Sequence, residues 1–310
     1  MDCLTIGEPL VAFDSGAQSL DEASLVRKYA VGAESNVAIG LARLGRSVGY
    51  VGRVGRDSIG REILRTLRGE GVDVSRVAVV DSGPTAVLLK EQSASGRTEV
   101  TYHRAGSAGS TLSVTDLPAR FSTIRRLHVT GITLVLSPTA RRAALEAMRR
   151  ARADGCRVSL DANFRHKLAS TSTLVECFEE AAALADEVIL GRAEAALCAG
   201  SGDDEQLESY ARSLASDTVV LKGAAGGAVG FSRGERIESE ARLVPVVDAV
   251  GSGDAFAVGF LHALLDGRPL AEALDLGGQV SARVVARHGD YQGLPYAGDL
   301  ERDLTLAVLR

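Results

Sequence analysis

The sequence predicts an α/β fold, a three-layer α/β/α sandwich with a mostly parallel central sheet and a small antiparallel β lid. Three observations carry this. Short apolar segments alternate with helical stretches of ten residues or more, the pattern of strand–helix–strand units that build a parallel sheet covered on both faces. Two segments, about 10–31 and 85–104, break that rhythm and look like short β pieces without helical period. The 310 residues are 45% hydrophobic and 24% charged, an ordinary globular balance with no repeat or low-complexity linker, so one domain is expected across 1–310.

Taken in order, Cys3–Gly7 reads as a short buried strand. Ala33–Leu44 has helical spacing and stops at Gly45, a good C-cap, and Val48–Val51 is a strand. Asp57 caps a helix that runs to about Arg68. In the second irregular segment, Val87–Lys90 and Glu99–Tyr102 flank Ser95-Gly96, a hairpin signal. Arg126–Thr130 is a strand; Ser137-Pro138 opens a helix with an N-cap serine and an N1 proline, and Gly155 closes it. Strands at 158–160, 187–190 and 218–221 alternate with helices from about Ser170 and about Gln206. Two long helices, about Gly253–Leu265 and Ala271–Ala286, follow.

The charge is mildly acidic, with Lys and Arg spread along the chain, so nothing marks a nucleic-acid or membrane partner. An acidic residue follows Met1 and a strand begins at once, so no signal peptide is expected. No apolar run approaches the roughly 20 residues of a membrane helix. Cys3, Cys156, Cys177 and Cys198 are scattered, and the five histidines lack ligand spacing. Reduced core thiols in a cytoplasmic protein without a zinc site are expected.

The richest segment is Asp248-Ala249-Val250-Gly251-Ser252-Gly253-Asp254-Ala255-Phe256. Its glycines stand where a buried helix begins, and a helix start offers uncovered N–H groups and a positive dipole to an anion. A carboxylate there repels a phosphate, unless Asp254 takes a proton from a nucleophile while the amides hold the phosphoryl group. A glycine turn whose aspartate merely caps the helix reads equally well from the local residues. The helix start is expected to depress the Asp254 pKa; phosphoryl transfer tolerates a weak base, because positioning and charge stabilisation dominate its loose transition state.

No Gly-Lys dipeptide exists, so a Walker loop is absent, and Gly7-Glu8-Pro9 stands where a dinucleotide-binding glycine fingerprint would follow the first strand. Three further clusters lie at element ends. Lys222-Gly223-Ala224-Ala225-Gly226-Gly227 follows a strand and suits a nucleotide lying against backbone, or a tight turn. Asp161-Ala162-Asn163-Phe164-Arg165 also follows a strand, where Arg165 suits a carboxylate or phosphate, or a surface ion pair. Arg104 is a second cation at the end of the lid segment, and Gly32–Ala38 opens a helix with groups that suit sugar hydroxyls or simple capping.

Gly32-Ala33-Glu34-Ser35-Asn36-Val37-Ala38, continuing to Gly45, resembles the N-terminal signature of the ribokinase or PfkB carbohydrate kinases. Asp248–Phe256 resembles their C-terminal signature, with Ala249 for the usual threonine and Ser252 for the usual alanine. The likeness spans nearly the whole chain. It implies a ribokinase-like fold, ATP as donor, Mg²⁺, Asp254 as base and Gly251, Ser252 and Gly253 as the anion hole. It further implies nucleotide contacts at Lys222, Gly223, Ala225, Gly227, Gly251, Gly253 and Gly278. Glu194 would serve Mg²⁺ through water, and Asp248 would be the candidate for a monovalent cation such as K⁺.

Within the family the chain resembles 2-keto-3-deoxygluconate kinases. That places Gly32, Ala33, Asn36, Tyr102, Arg104, Arg165, Asp254 and Asp290 at the sugar, and an acid substrate gives both arginines a purpose. Leu88 and His103 replace expected tyrosines, Ala169 an expected tryptophan, Gly191 an expected asparagine and Ala224 a glycine. The alternatives are a kinase of a neutral sugar such as fructose or of a nucleoside, and a non-catalytic sugar-binding module. A homodimer through the lid edges is expected, with no nucleic-acid or membrane partner.

Overall fold

The computed structural model describes residues 1–92, 98–223 and 227–300. The Ser95-Gly96 turn, Ala224 and Ala225 lie outside them. In chain order the elements are β1 (Cys3–Ile6), β2 (Leu10–Asp14), β3 (Arg27–Val31), α1 (Ala33–Arg43), β4 (Val48–Gly55), α2 (Ser58–Gly69), β5 (Asp73–Val80), β6 (Val87–Gln92) and β7 (Thr98–His103). There follow β8 (Arg126–Thr130), α3 (Gly131–Leu136), α4 (Pro138–Ala153), β9 (Arg157–Asp161), α5 (Thr171–Ala182), β10 (Glu187–Gly191), α6 (Arg192–Ala199) and α7 (Asp204–Ser213). The chain continues with β11 (Thr218–Lys222), β12 (Ala228–Ser232), β13 (Glu235–Ser239), α8 (Ser252–Leu265) and α9 (Leu270–Val285).

The fold is the ribokinase-like α/β arrangement expected. A nine-stranded sheet runs β13-β12-β11-β10-β9-β8-β1-β4-β5, parallel from β5 to β11 and antiparallel at β12 and β13. Its inner strands β1, β8 and β10 are buried almost throughout, because helices cover both faces. The strand pleat divides the core. Leu4 and Ile6 point toward α4 and α5, whereas Cys3 points toward α1, α8 and α9. Helix α8 is apolar nearly all round because α1, α9 and the sheet enclose it.

The expected caps form: Asp57 accepts from the Gly60 N–H and Ser137 from Ala140. Ser170 also caps its helix, accepting from the Thr173 N–H. A second sheet, ordered β3-β2-β6-β7, is the lid: two antiparallel hairpins joined through a parallel β2–β6 pair. Its hairpins interrupt the main sheet after β1 and β5, so the lid rises from the same edge as the carboxyl ends of the parallel strands. In-register pairs Thr130↔Asp161 and Gly191↔Lys222 lie along that edge. Ligands of open α/β sheets bind there.

Candidate active site

Gly251 begins α8 with φ 79°, a left-handed conformation that glycine adopts freely, and a Cβ there would stand 2.3 Å from the Asp290 carbonyl oxygen. That turn sets the first amides of α8, which have no helical carbonyl behind them, toward open space. Asp254 sits in this first turn, buried. Its Oδ2 accepts from the Asn36 amide at 2.8 Å and its Oδ1 from the Asn163 amide at 3.1 Å. Asn36 comes from the start of α1; Asn163, just past β9, has φ 40°, a conformation asparagine tolerates well. Two helices and a strand end therefore aim one carboxylate.

The pKa expectation for Asp254 is corrected. Burial raises it above the ordinary carboxylate range, and the Asn36 hydrogen bond and the Arg165 charge only partly oppose that rise. Desolvation outweighs the helix dipole because the side chain is buried between the Asn36 and Asn163 amides rather than at an exposed terminus. A base of raised pKa holds a transferred proton better.

Lys222 ends β11, and its Nζ lies 2.8 Å from Asp161 Oδ2. A Cβ on Gly253 would be 3.3 Å from the same nitrogen, so the ammonium lies directly over the helix start. Burial opposes its charge, but Asp161 and Glu194 more than compensate and raise its pKa. Glu194 accepts the Phe164 N–H at 2.7 Å and the Gly191 N–H at 2.6 Å. Burial raises the Glu194 pKa against the pull of Lys222.

Two clefts meet at this point. One, about 450 Å³, is lined by Gly223, Gly227, Leu243, Val246, Phe256 and Ala282 among others. The other, about 740 Å³, is lined by Val100, Tyr102, Asn163, Arg165, Lys167 and Asp254 among others. Gly191, Lys222, Ala249, Ser252 and Gly253 line both. The first cleft is mostly apolar and suits a nucleotide base and ribose; the second is the more polar of the two and includes the Asp254 carboxylate. Such a pair of clefts can hold a phosphoryl donor and a hydroxyl acceptor on opposite sides of one anion hole.

Other residues expected at the sugar stand behind this surface. Gly32 caps α1, and Ala33 is buried at the start of that helix. Arg104 is buried and paired with Glu8, Nε to Oε2 at 2.7 Å and Nη2 to Oε2 at 2.6 Å, and its guanidinium packs on the Tyr102 ring. Ser107 donates to the other Glu8 oxygen. Asp290 is buried, and burial pushes its carboxyl up to about 7 against the opposing Lys90. Asp248 contacts Lys90, Nζ to Oδ2 at 2.6 Å. Gly278 is buried within α9, where Ser281, Ala282 and Val285 line the nucleotide-sized cleft instead. Glu8, Lys90 and the Asn163 amide carry no functional signal of their own in the sequence, although Asn163 stands inside the Asp161–Arg165 cluster.

The profile of the pfkB family carbohydrate kinases matches residues 2–297. The chain belongs to that family. A 2-dehydro-3-deoxygluconokinase of Bacillus subtilis is 38% identical over 300 residues, 95% of this chain and 93% of the relative. A fructokinase of Klebsiella pneumoniae is 36% identical over 284 residues, 88% of this chain and 91% of the relative. Among solved structures, the Salmonella enterica aminoimidazole riboside kinase with its riboside and an ATP analogue superposes with TM-score 0.87 at 29% identity, covering 98% of this chain and 100% of that one.

As a PfkB kinase the protein is a phosphotransferase acting on a sugar hydroxyl, and its kinase family implies ATP and Mg²⁺. The residues fit both. The helix-start amides and Lys222 suit the nucleotide phosphates, and Glu194 presents a half-buried carboxylate to the acceptor cleft. No group of three or more His, Cys, Asp or Glu side chains that could hold a metal ion exists among the described residues. Nor is any described helix long and apolar enough to cross a membrane.

Proposed function

We propose that the enzyme transfers the γ-phosphoryl group of ATP to a hydroxyl of a sugar acid, 2-keto-3-deoxygluconate being the best single candidate, with Asp254 as base. The observation that carries this is the meeting of the two clefts at Ser252 and Gly253, next to Asp254, a buried carboxylate held between two side-chain amides. The acceptor hydroxyl would lie between Asp254 and the phosphoryl group. Its oxygen bonds to phosphorus as the bridging bond to ADP breaks, and its proton passes to Asp254 and later to solvent. Asn36 Oδ1, buried with no partner, would accept a hydrogen bond from the same sugar. Gly251, Ser252 and Gly253 would hold the transferring group, with Lys222 neutralising charge beside them. Mg²⁺ supplies charge neutralisation on the phosphates, and Glu194 would reach it through water.

Arg165, exposed in the acceptor cleft with no carboxylate partner among the described residues, would receive the substrate carboxylate. Arg104 would act through packing on Tyr102, its charge being met by Glu8. That pairing favours a second reading, phosphorylation of a neutral ketohexose, because one arginine rather than two then faces the acceptor. Gly223 and Gly227 would pass beneath the nucleotide. For Asp248 a monovalent cation does not fit, since Lys90 already meets that carboxylate. We further propose one functional unit across the chain, a cytoplasmic setting in keeping with four free cysteines, and a homodimer through the lid, where Leu25 and Val26 lie exposed beside β3.

An acceptor panel read by coupled ADP release tests the substrate. The highest kcat/KM is expected for 2-keto-3-deoxygluconate; a preference for fructose or a nucleoside would overturn the acid reading in favour of the neutral one.

A further inference from the structure

Lys90 stands out as a buried ammonium outside the reacting centre. It lies on β6 of the lid, opposite Asp14 on β2 and Val100 on β7, and is 5% exposed. Its Nζ is 2.6 Å from Asp248 Oδ2 and 3.8 Å from Asp290 Oδ1. Charges this deep are retained only when paired, and this one is paired with two carboxylates from the loops that frame the helix start.

The Asp248 carboxylate organises that frame. Its Oδ1 accepts the Val250 N–H at 3.1 Å, and its Oδ2 accepts the Gly289 N–H at 3.3 Å. Val250 precedes Gly251, whose turn packs on the Asp290 carbonyl. Lys90 thus balances the charges that fix the position of the anion-hole amides. Asp14, also buried, lies beside it and has its own donor in the Tyr29 hydroxyl at 2.9 Å.

We propose that Lys90 is the resident cation of the anion-hole loop: its ammonium fills the place between Asp248 and Asp290 that a free monovalent cation would otherwise take, and it ties the lid sheet to the loop that positions Gly251–Gly253. Lys90 is a positioning residue, touching neither phosphate nor acceptor. The inference rests on the assignment of Gly251–Asp254 as the phosphoryl-transfer centre but not on which sugar is the acceptor. It gives the chain an anion hole set by its own side chain, so turnover does not require K⁺ or NH₄⁺. A second cation at the same carboxylates would face the Lys90 charge at contact distance.

The test compares the wild type, Lys90→Met and Lys90→Arg in a buffer whose only monovalent cation is tetramethylammonium, then with added K⁺ or NH₄⁺. Wild-type kcat is expected to change less than about twofold on addition. Lys90→Met is expected to lose about 10- to 100-fold in kcat, the scale of a misplaced catalytic array, with KM for ATP little changed. It should regain part of that loss with K⁺ or NH₄⁺, and Lys90→Arg should keep most of the rate without them. Melting temperature gives a readout that needs no acceptor: K⁺ should raise it for Lys90→Met and not for the wild type. Strong activation of the wild type by K⁺, or wild-type kcat for Lys90→Met without added cation, would overturn the proposal. If Lys90→Met does not fold, the wild-type cation titration still decides. If no sugar in the panel turns over, the melting comparison still reads Lys90, so failure of the substrate reading and failure of this one remain distinguishable.

Discussion

The Asn36 side-chain amide donates to Asp254 Oδ2 across 2.8 Å, joining the first turn of α1 to the first turn of α8 through two buried side chains. These residues lie 218 positions apart in sequence. The bond orients the carboxylate and stabilises its charged form, whereas burial pushes the other way and prevails. The sign of a pH effect follows. The base works deprotonated, so kcat/KM should fall on the acid side through a pKa above the ordinary carboxylate range. Asn36→Leu removes a contribution that lowers that pKa, so the acid limb should move to higher pH. Arg165→Ala should move it the same way, since the Arg165 charge also lowers it. A pH–rate profile for each variant checks the direction.

Acceptor selection is expected to divide between two arginines with different partners. Arg165→Ala should raise KM for a sugar acid about tenfold or more, the scale of a lost charge-assisted pair, and leave KM for a neutral sugar nearly unchanged. Arg104→Ala should instead lower melting temperature, because it leaves the Glu8 carboxylate buried without its ion pair. Kinetics with both acceptors and a thermal melt of each variant separate the two roles. Equal loss toward acid and neutral sugars in Arg165→Ala would contradict the carboxylate role.

Gly251 should tolerate no side chain. Alanine there would adopt a left-handed φ and drive a methyl group into the Asp290 carbonyl, at a cost of roughly 3 kcal/mol from strain and overpacking together. Gly251→Ala is expected to melt several degrees lower and to lose kcat through displacement of the anion-hole amides. Calorimetry and steady-state rates on the same sample check both effects.

Much of this fold was legible because its causes are local. The caps at Asp57 and Ser137 and the alternation of strand and helix are short-range patterns, and each formed where expected. Edge strand β5 and the short helices α3 and α6 passed unseen: β5 is only half-buried, and the two helices are too brief to show a period. At the site, glycines beside an aspartate announced the helix start, but its electrostatics were not local. The raised Asp254 pKa comes from burial between the Asn36 and Asn163 amides, the Arg104–Glu8 pair spans 96 positions and the Lys90–Asp248 pair spans 158. A single lysine in a lid strand carries no sign of a partner so far along the chain.

The role of Asp254 as the base in phosphoryl transfer is tested most directly by Asp254→Asn, which keeps the size and shape of the side chain while removing the proton acceptor. The measurement is kcat by coupled ADP release, with ATP affinity determined calorimetrically on the same preparation. The expected result is a fall in kcat of about 10²- to 10⁴-fold, the range of general-base catalysis, with ATP affinity within a few-fold of wild type. Near-wild-type turnover in Asp254→Asn would contradict the assignment.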